Sequence, residues 1–284
     1  MKNFGLILIL NLITIPISYC QQSGQENNTI SKIHTDSIFS KYLEEHRRHN
    51  VYLPPYFDSK RNYRVIYGTD GNESSWKDVI ISVLDSLIEN EIIEPVIYIG
   101  SHSNNKNIAS TSMKTEDGMT INIQYRNFEY VENFGAGAPF KALTDRFENH
   151  LLYFKDELIP FIEEKFGLNP TKRNRLFYGV SNGAGFGANF LNKHPDVIGT
   201  YICFSTLGSN VSHNEWKDNI EYPNLYLEYG NEEDEIFKNE ANELKRMYEQ
   251  SNSKCELIKF NGGHDYEKWN ERFALKIAEL LKVP

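Results

Sequence analysis

Short apolar runs alternate with longer helix-like stretches along most of this 284-residue chain. The runs YRVIYG, EPVIYIGS, NRLFYGVS, GTYICFS, NLYLEYG and CELIKF have the length and apolar content of buried strands. Strands that alternate with helices are joined by right-handed crossovers, and they form a mostly parallel sheet with helices on both faces. The alternation therefore predicts an α/β fold. Residues 37–57, which end in a Pro-Pro turn, predict two antiparallel edge strands before it.

The helix-like stretches have apolar residues at helical spacing and recognisable ends. One predicted helix ends at Gly167, and another stops before Pro195, because glycine and proline are typical of helix ends. The sequence shows no internal repeat and no sign of a second domain. The net charge of −9 and the scattered basic residues argue against a nucleic-acid partner.

The N-terminal segment, residues 1–20, resembles an export signal. A lysine precedes a short apolar stretch that Pro16 interrupts, and the stretch is short for a bilayer span. Its end, ISYC, loosely resembles a lipoprotein box, so Cys20 is either a lipidation site or lies near an ordinary cleavage site. An uncut membrane anchor is the third alternative. Residues 21–30 have the composition of a polar tether, and residues 31–284 are predicted to form one domain. We expect an exported protein that is periplasmic, attached to the cell surface as a lipoprotein, or secreted.

Cys203 and Cys255 lie in apolar strand-like runs, and two cysteines do not make a disulfide framework. We expect both to be free, structural thiols. Because no His or Cys residues are clustered with ligand spacing, the sequence predicts neither a metal site nor a cofactor. The oligomeric state is left open.

The segment GVSNG places Ser181 between a predicted strand and a predicted helix, with glycine two residues away on either side. A nucleophilic serine needs such a sharp turn, and the helix start that follows directs backbone N–H groups at the reacting oxygen. The amide of Asn182 would be one oxyanion donor. The motif alone also fits an ordinary glycine-rich turn, so its meaning depends on the rest of the chain.

A serine hydroxyl needs a base to remove its proton, and histidine suits this role near neutral pH. His264 follows the last predicted strand in the loop FNGGHDY, at the same sheet edge as Ser181. His102, which also follows a strand at this edge, is a weaker alternative. The other six histidines lie in terminal, helical or loop stretches, where surface or packing roles are expected.

An acid should orient the base, and the loop NEEDE after the next-to-last strand offers several carboxylates. Asp234 is the first choice and Glu233 the second, because turn geometry decides which side chain points inward. Others in the loop fit a solvated helix start. Serine, acid and histidine would then follow successive strands in the order of the α/β-hydrolase arrangement.

With these residues in place, the sequence resembles the putative-esterase family of α/β-hydrolases, which includes esterase D, feruloyl esterases, ferric-enterobactin esterases and antigen 85-type mycolyltransferases. The segments that carry the resemblance are VYLPPYF, YRNFEY, FKDELIPFIEEKFG, RLFYGVSNGAGFGANFLNKHPDVIGTYICFS and GGHDYEKW. The resemblance implies an α/β-hydrolase fold and a serine carboxylic-ester hydrolase that works through an acyl-enzyme, with Ser181 as nucleophile and His264 as base.

The resemblance also implies further site residues. Gly71, or a neighbour in its loop, would supply the second oxyanion amide, and Arg126 and Glu129 match an arginine and a glutamate beside the active-site mouth. The alternative for Arg126 and Glu129, which is the favoured one, is a salt bridge that only fixes a loop. Trp216 either lines the acyl or alcohol pocket or packs its own loop. Asp234 lies one residue farther from Gly230 than the acid does in most members of the family. Glu233 therefore remains an alternative to it.

Three functions remain open from the sequence. The leading one is hydrolysis of an external ester, such as a siderophore or a feruloyl or acetyl polysaccharide. Transfer of the acyl group to a sugar or another alcohol would use the same residues. A non-catalytic binding module on the same fold is the third reading, against which the complete set of serine, histidine and acid argues.

Overall fold

The computed structural model describes residues 29–73, 76–114, 120–134, 143–251 and 253–283. The predicted signal peptide with Cys20 and most of the predicted tether lie outside these residues. Within the described ranges, no helix has both the length and the apolar character that a bilayer crossing requires.

An eight-stranded sheet forms the centre of the fold, in the order β1-β2-β4-β3-β7-β8-β9-β10, and β5 and β6 pair separately as a hairpin. The strands are β1 Lys32–Ser40, β2 Glu45–Leu53, β3 Arg64–Gly68, β4 Val96–Ser101, β5 Asn107–Lys114, β6 Thr120–Gln124, β7 Arg175–Val180, β8 Thr200–Phe204, β9 Asn224–Gly230 and β10 Cys255–Phe260.

Six of the eight strands run parallel, and the antiparallel pairs lie at one side of the sheet. β1 pairs with β2, and β2 with β4, in antiparallel register. From β4 to β10 every neighbouring pair is parallel. The carboxyl ends of these parallel strands therefore meet at one edge, where chemistry gathers in open α/β sheets.

Seven α-helices accompany the sheet in the described part of the chain. They are α1 Ile81–Glu89, α2 Tyr125–Tyr130, α3 Arg146–Leu152, α4 Ile159–Phe166, α5 Asn182–Lys193, α6 Glu235–Ser251 and α7 Tyr266–Leu280. A π-helical turn, Tyr153–Leu158, joins α3 to α4, and another, Trp76–Ile80, leads into α1. Gly167 ends α4 in the left-handed conformation, as the sequence predicted.

The sheet is covered on both faces. One core contains side chains of α3, α4, α5 and α6 together with residues such as Tyr67 and Phe177 of the strands. The other contains α1 and α7 together with Ile66 and Tyr178, which neighbour the first two along their strands. Successive strand residues thus point to opposite, equally apolar faces, which explains why the strands read as continuous apolar runs. The predicted α/β-hydrolase architecture is confirmed.

The structure differs from the sequence prediction in two places. The edge strand β1 begins at Lys32, five residues before the predicted start, and its side chains are largely exposed, so the apolar signal there is weak. The β5–β6 hairpin and α2 were not predicted. Their strands, NIASTSMK and TINIQ, contain few apolar residues.

Candidate active site

Ser181 forms a one-residue turn between β7 and α5. Its backbone has φ 54° and ψ −127°, a conformation that non-glycine residues adopt rarely. Three backbone hydrogen bonds hold it there: its N–H donates to Phe204 O at 3.0 Å, and its carbonyl accepts from Gly185 N at 3.0 Å and Leu207 N at 3.3 Å. Strain at one residue, held by its surroundings, is typical of functional sites.

The two glycines of the motif are required by close approach of the backbone. A Cβ on Gly179 would lie 2.7 Å from the carbonyl carbon of Gly183, and a Cβ on Gly183 would lie 2.2 Å from Thr69 Oγ1. Both positions therefore exclude any side chain. The turn is built around these contacts, and the glycines do not simply make it flexible.

His264 lies beside Ser181, as the sequence predicted. Its Nε2 is 3.1 Å from Ser181 Oγ, and its Nδ1 is 2.9 Å from Glu233 Oε1. If Nδ1 carries the proton and donates it to the carboxylate, Nε2 is free to accept from the serine hydroxyl. A hydroxyl, an imidazole and a carboxylate are thus joined by two hydrogen bonds.

Glu233, and not the first-choice Asp234, faces His264. The Glu233 side chain is fully buried, and its Oε2 accepts a hydrogen bond from Gly230 N at 3.0 Å, whereas Asp234 is exposed. The turn after β9 folds back on Gly230, which directs Glu233 inward and turns the next residue outward. The preference for Asp234 is thereby corrected to the alternative acid.

A cavity of about 370 Å³ opens over Ser181 and His264. Its other walls are Asp70, Glu73, Asn105, Gln124, Arg126, Val180, Tyr266 and Trp269. The Arg126 guanidinium donates two hydrogen bonds to the Asp70 carboxylate, at 2.7 and 2.8 Å, and lies 4.6 Å from the ring centre of Tyr130. Arg126 therefore lies at the mouth, as expected, in a bidentate ion pair.

A family model described as Putative esterase matches residues 40–280, most of the chain. The chain belongs to this family. The predictions of the family and of an esterase on an α/β-hydrolase fold are confirmed.

Known proteins resemble this esterase over nearly its whole length. An uncharacterized protein, YjcH of Bacillus subtilis (strain 168), is 20% identical over 267 residues, which cover 90% of this chain and 99% of the relative. A solved ferulic acid esterase superposes with a TM-score of 0.66 at 18% identity, over 89% of this chain and 98% of its own. An IroE-like serine hydrolase from Shewanella oneidensis gives 0.65 at 17% identity, over 88% and 80%. At these identities the two structures establish a shared fold.

Aromatic side chains enclose the imidazole of this esterase. The centre of the Phe237 ring lies 4.3 Å from the centre of the His264 ring. The Trp269 ring packs edge-on against the same imidazole, with 4.6 Å between the ring centres. Trp269 Nε1 donates to the buried Ser205 Oγ at 2.8 Å, which fixes the indole. Trp269 ends the segment GGHDYEKW, which carries part of the family resemblance, whereas Phe237 was not predicted, although its place in the first turn of α6, after the loop that holds Glu233, was a usable signal.

The two predicted oxyanion donors differ in whether their backbone amides are free to donate. Asn182 is the first residue of α5, so its amide N–H has no acceptor within the helix and is available at the turn. The Gly71 amide instead donates to Ser101 O at 2.8 Å, and a Cβ at Gly71 would lie 2.2 Å from Gly100 O. Gly71 therefore pins its loop against β4, and its amide is not free for an oxyanion.

Three other predicted residues lie outside the walls of this cavity. Glu129 is buried among arginines, and Trp216 packs on Tyr222 and Tyr248 while its Nε1 donates to Val211 O at 2.9 Å. The structure favours the loop-packing alternative for Trp216. Burial, together with the charges of nearby arginines, lowers the pKa of His102 to about 4, and the ring that contacts Ser181 is that of His264.

Cys203 is buried and Cys255 half-buried, and both are free thiols, as predicted. Among the described residues, no group of three or more His, Cys, Asp or Glu side chains is arranged to hold a metal ion.

Proposed function

We propose that Ser181, His264 and Glu233 form a catalytic triad that hydrolyses a carboxylic ester through an acyl-enzyme. The observation that supports this most directly is the hydrogen-bonded row from Ser181 Oγ to His264 Nε2 at 3.1 Å and from His264 Nδ1 to Glu233 Oε1 at 2.9 Å. Each of the three residues is suited to its role. Ser181 offers a hydroxyl on a strained backbone beside the cavity, His264 offers a nitrogen that can accept its proton, and Glu233 offers a buried carboxylate.

In the first step, Ser181 Oγ attacks the ester carbonyl while His264 Nε2 takes its proton. The imidazolium, stabilised by the Glu233 carboxylate, then gives the proton to the leaving alcohol oxygen as the ester bond breaks. Water repeats the sequence on the acyl-enzyme and releases the acid. Glu233 keeps its charge throughout, because its role is to orient and stabilise the ring.

The oxyanion of each tetrahedral intermediate needs backbone donors. The Asn182 amide is one. For the second, we propose Asn72 in place of Gly71, since the Asn72 amide has no hydrogen-bond acceptor among the described residues and its side chain is fixed by Ser103, whose N–H and hydroxyl both donate to Asn72 Oδ1 at 2.8 Å. Removing one such donor typically costs about 10²–10³ in kcat.

The natural substrate is proposed to be an ester outside the cytoplasm. The N-terminal segment supports export, and the similarity to a ferulic acid esterase supports an aryl or polysaccharide ester as one class. A siderophore ester is the other class to be screened. Export itself is tested by whether the protein recovered from cells starts at or after residue 20 and carries lipid on Cys20.

The proposal is tested with purified protein that lacks residues 1–20 and with p-nitrophenyl acetate as substrate. Ser181→Ala should lower kcat by about three orders of magnitude or more and abolish labelling by a fluorophosphonate probe. Ser59→Ala, at an exposed serine, is the matched control and should keep wild-type activity. Retention of most activity by the Ser181 variant would refute the assignment of the nucleophile.

A further inference from the structure

A second, narrower hollow adjoins the cavity over Ser181. It has a volume of about 20 Å³. Its lining includes Thr69, Ile80, Tyr98, Tyr178, Val180 and Tyr266. We call this hollow the acyl slot. Apart from Asn270 and the two carboxylates Asp70 and Glu73, which also line the larger cavity, its walls are mainly aromatic and aliphatic.

The acyl slot and the larger cavity are contiguous. Four residues line both of them: Asp70, Glu73, Val180 and Tyr266. Val180 directly precedes Ser181, so the slot reaches the backbone beside the proposed nucleophile. Among the shared residues, Tyr266 contributes the largest side chain and is 42% exposed. Its ring therefore lies on the boundary between the two hollows.

The position of Tyr266 is fixed from several sides. Its ring meets the buried Trp269 edge-on at 5.1 Å. It is the first residue of α7, whose start is capped by the Asp265 carboxylate accepting from Lys268 N at 2.9 Å. Burial, reinforced by the nearby negative charges of Asp70 and Glu73, raises the pKa of its hydroxyl to about 12. The boundary is thus a neutral, partly exposed ring that is held by its contact with Trp269.

The proposed reaction orients an ester across this boundary. The leaving alcohol oxygen must face His264 Nε2, because it receives its proton from there, and His264 lines the larger cavity but not the acyl slot. The carbonyl oxygen faces the oxyanion amides. Ser181, to which the acyl carbon becomes bonded, also lines only the larger cavity, so it is an acyl chain extending away from His264 that would pass the Tyr266 ring and enter the slot.

We infer that Tyr266 is a specificity-determining residue that limits the acyl group to about two or three carbons, so that among the ester classes proposed above an acetylated polysaccharide is favoured over aryl and siderophore esters. A free volume of about 20 Å³ is little more than one water molecule needs. A longer acyl chain would have to displace the Tyr266 ring, which its contact with Trp269 opposes. The leaving group, in the larger and polar cavity, is not limited in this way. This inference rests on the proposed hydrolysis at Ser181.

The test measures kcat/KM for p-nitrophenyl esters of two, four, six and eight acyl carbons. Wild-type protein should prefer the two-carbon ester. Tyr266→Ala should raise the ratio of the six-carbon to the two-carbon value by about tenfold or more, since each methylene accommodated is worth roughly 10-fold or more in an apolar pocket. Tyr266→Phe keeps the ring and should keep the wild-type profile. Tyr42→Ala, another partly exposed tyrosine, is the control.

The inference is overturned if Tyr266→Ala keeps the wild-type chain-length profile, or if Tyr266→Phe shifts it as strongly. Ile80→Ala opens the slot from its other wall and should also favour longer acyl groups, so the inference stays testable if the first variant folds poorly. An unchanged profile for a folded Ile80 variant would likewise count against it. Failure of the proposed function looks different: wild-type protein would then hydrolyse none of the esters.

Discussion

Glu233 and Glu129 are both fully buried carboxylates with hydrogen-bonded partners, yet they lie in different settings. Glu233 contacts a single imidazole, and that imidazole opens into the cavity over Ser181. Glu129 accepts from Arg47 at 2.8 and 2.9 Å and from Arg146 at 2.7 and 2.9 Å, away from that cavity. One carboxylate faces a group that can change its charge. The other faces two guanidinium groups that cannot.

The difference between Glu233 and Glu129 shows which property of a buried carboxylate indicates a catalytic role. Burial and a partner are common to both residues, so neither distinguishes them. What distinguishes them is whether the partner can exchange a proton and whether it reaches a nucleophile and a cavity. By this criterion we assign Glu233 to the proposed reaction, whereas Glu129 stabilises the contact between β2, α2 and α3.

The largest expected effect is on the reaction. Glu233→Gln removes the charge that stabilises the imidazolium and should lower kcat/KM for p-nitrophenyl acetate by about 10²–10⁴, with little change in the urea midpoint of unfolding. Asp234→Asn is the matched control, because Asp234 is exposed, and it should stay within about twofold of wild type. If the two variants behaved in the opposite way, Asp234 would be the acid after all.

The next effect is on stability. Glu129→Gln leaves the buried Arg47 and the half-buried Arg146 with Glu45 as their remaining carboxylate partner and should lower the free energy of unfolding by about 3 kcal/mol. Urea denaturation measures this loss, and titration of active sites with a fluorophosphonate gives the activity per folded molecule, which should change less than about threefold. A stable variant with impaired kcat would place Glu129 in the reaction instead.

Glu240 of α6 extends the comparison, because it is a half-buried residue whose carboxylate has no cationic partner in the part of the chain that the structure describes. Its Oε1 accepts from the amides of Gly208 and Ser209, at 2.8 and 3.3 Å, and its Oε2 is buried without a hydrogen-bond partner in the described ranges. Burial, with a smaller contribution from Glu243, raises the pKa of Glu240 from 4.5 to about 7.

The smallest expected effect follows from this raised pKa. The folded protein holds the Glu240 proton more tightly than the unfolded chain, so this residue makes stability fall as pH rises from about 4.5 to about 7. Glu240→Gln should remove that fall and be more stable than wild type above pH 7, by on the order of 1–3 kcal/mol. Thermal unfolding at pH 5 and pH 8 measures it. A variant that is less stable than wild type at pH 8 would contradict the expected sign.

Much of the fold could be predicted because the parallel strands are buried on both faces. Runs such as LFYGV of β7 and YICF of β8 are apolar throughout, and β7 is followed by α5, which ends at Lys193 shortly before Pro195. The β5–β6 hairpin could not be predicted in the same way. β5 is rich in Ser and Thr and has no apolar alternation, and β6 alternates over only five residues, so their pairing depends on contacts that the folded chain supplies.

The site was predictable to the level of loops and less so to the level of atoms. Ser181 and His264 each follow a strand at the same edge, so topology alone brings them together. Choosing Glu233 over Asp234 required the direction of one turn, and rejecting Gly71 required knowing that its amide already bonds Ser101 O. Such choices depend on backbone hydrogen bonds, which leave no pattern in the sequence.

The antiparallel strands at the edge of the sheet also determine on which side of the domain the N-terminal segment joins it. Lys32, at the start of β1, is paired with Leu53, at the end of β2, and β2 in turn runs opposite to β4. The chain therefore enters the sheet at its outermost strand and at the amino ends of the parallel strands, diagonally opposite the edge that carries Ser181. A protein held to a surface through its N-terminus would stand with its reactive face turned outward, toward large substrates in the surrounding medium.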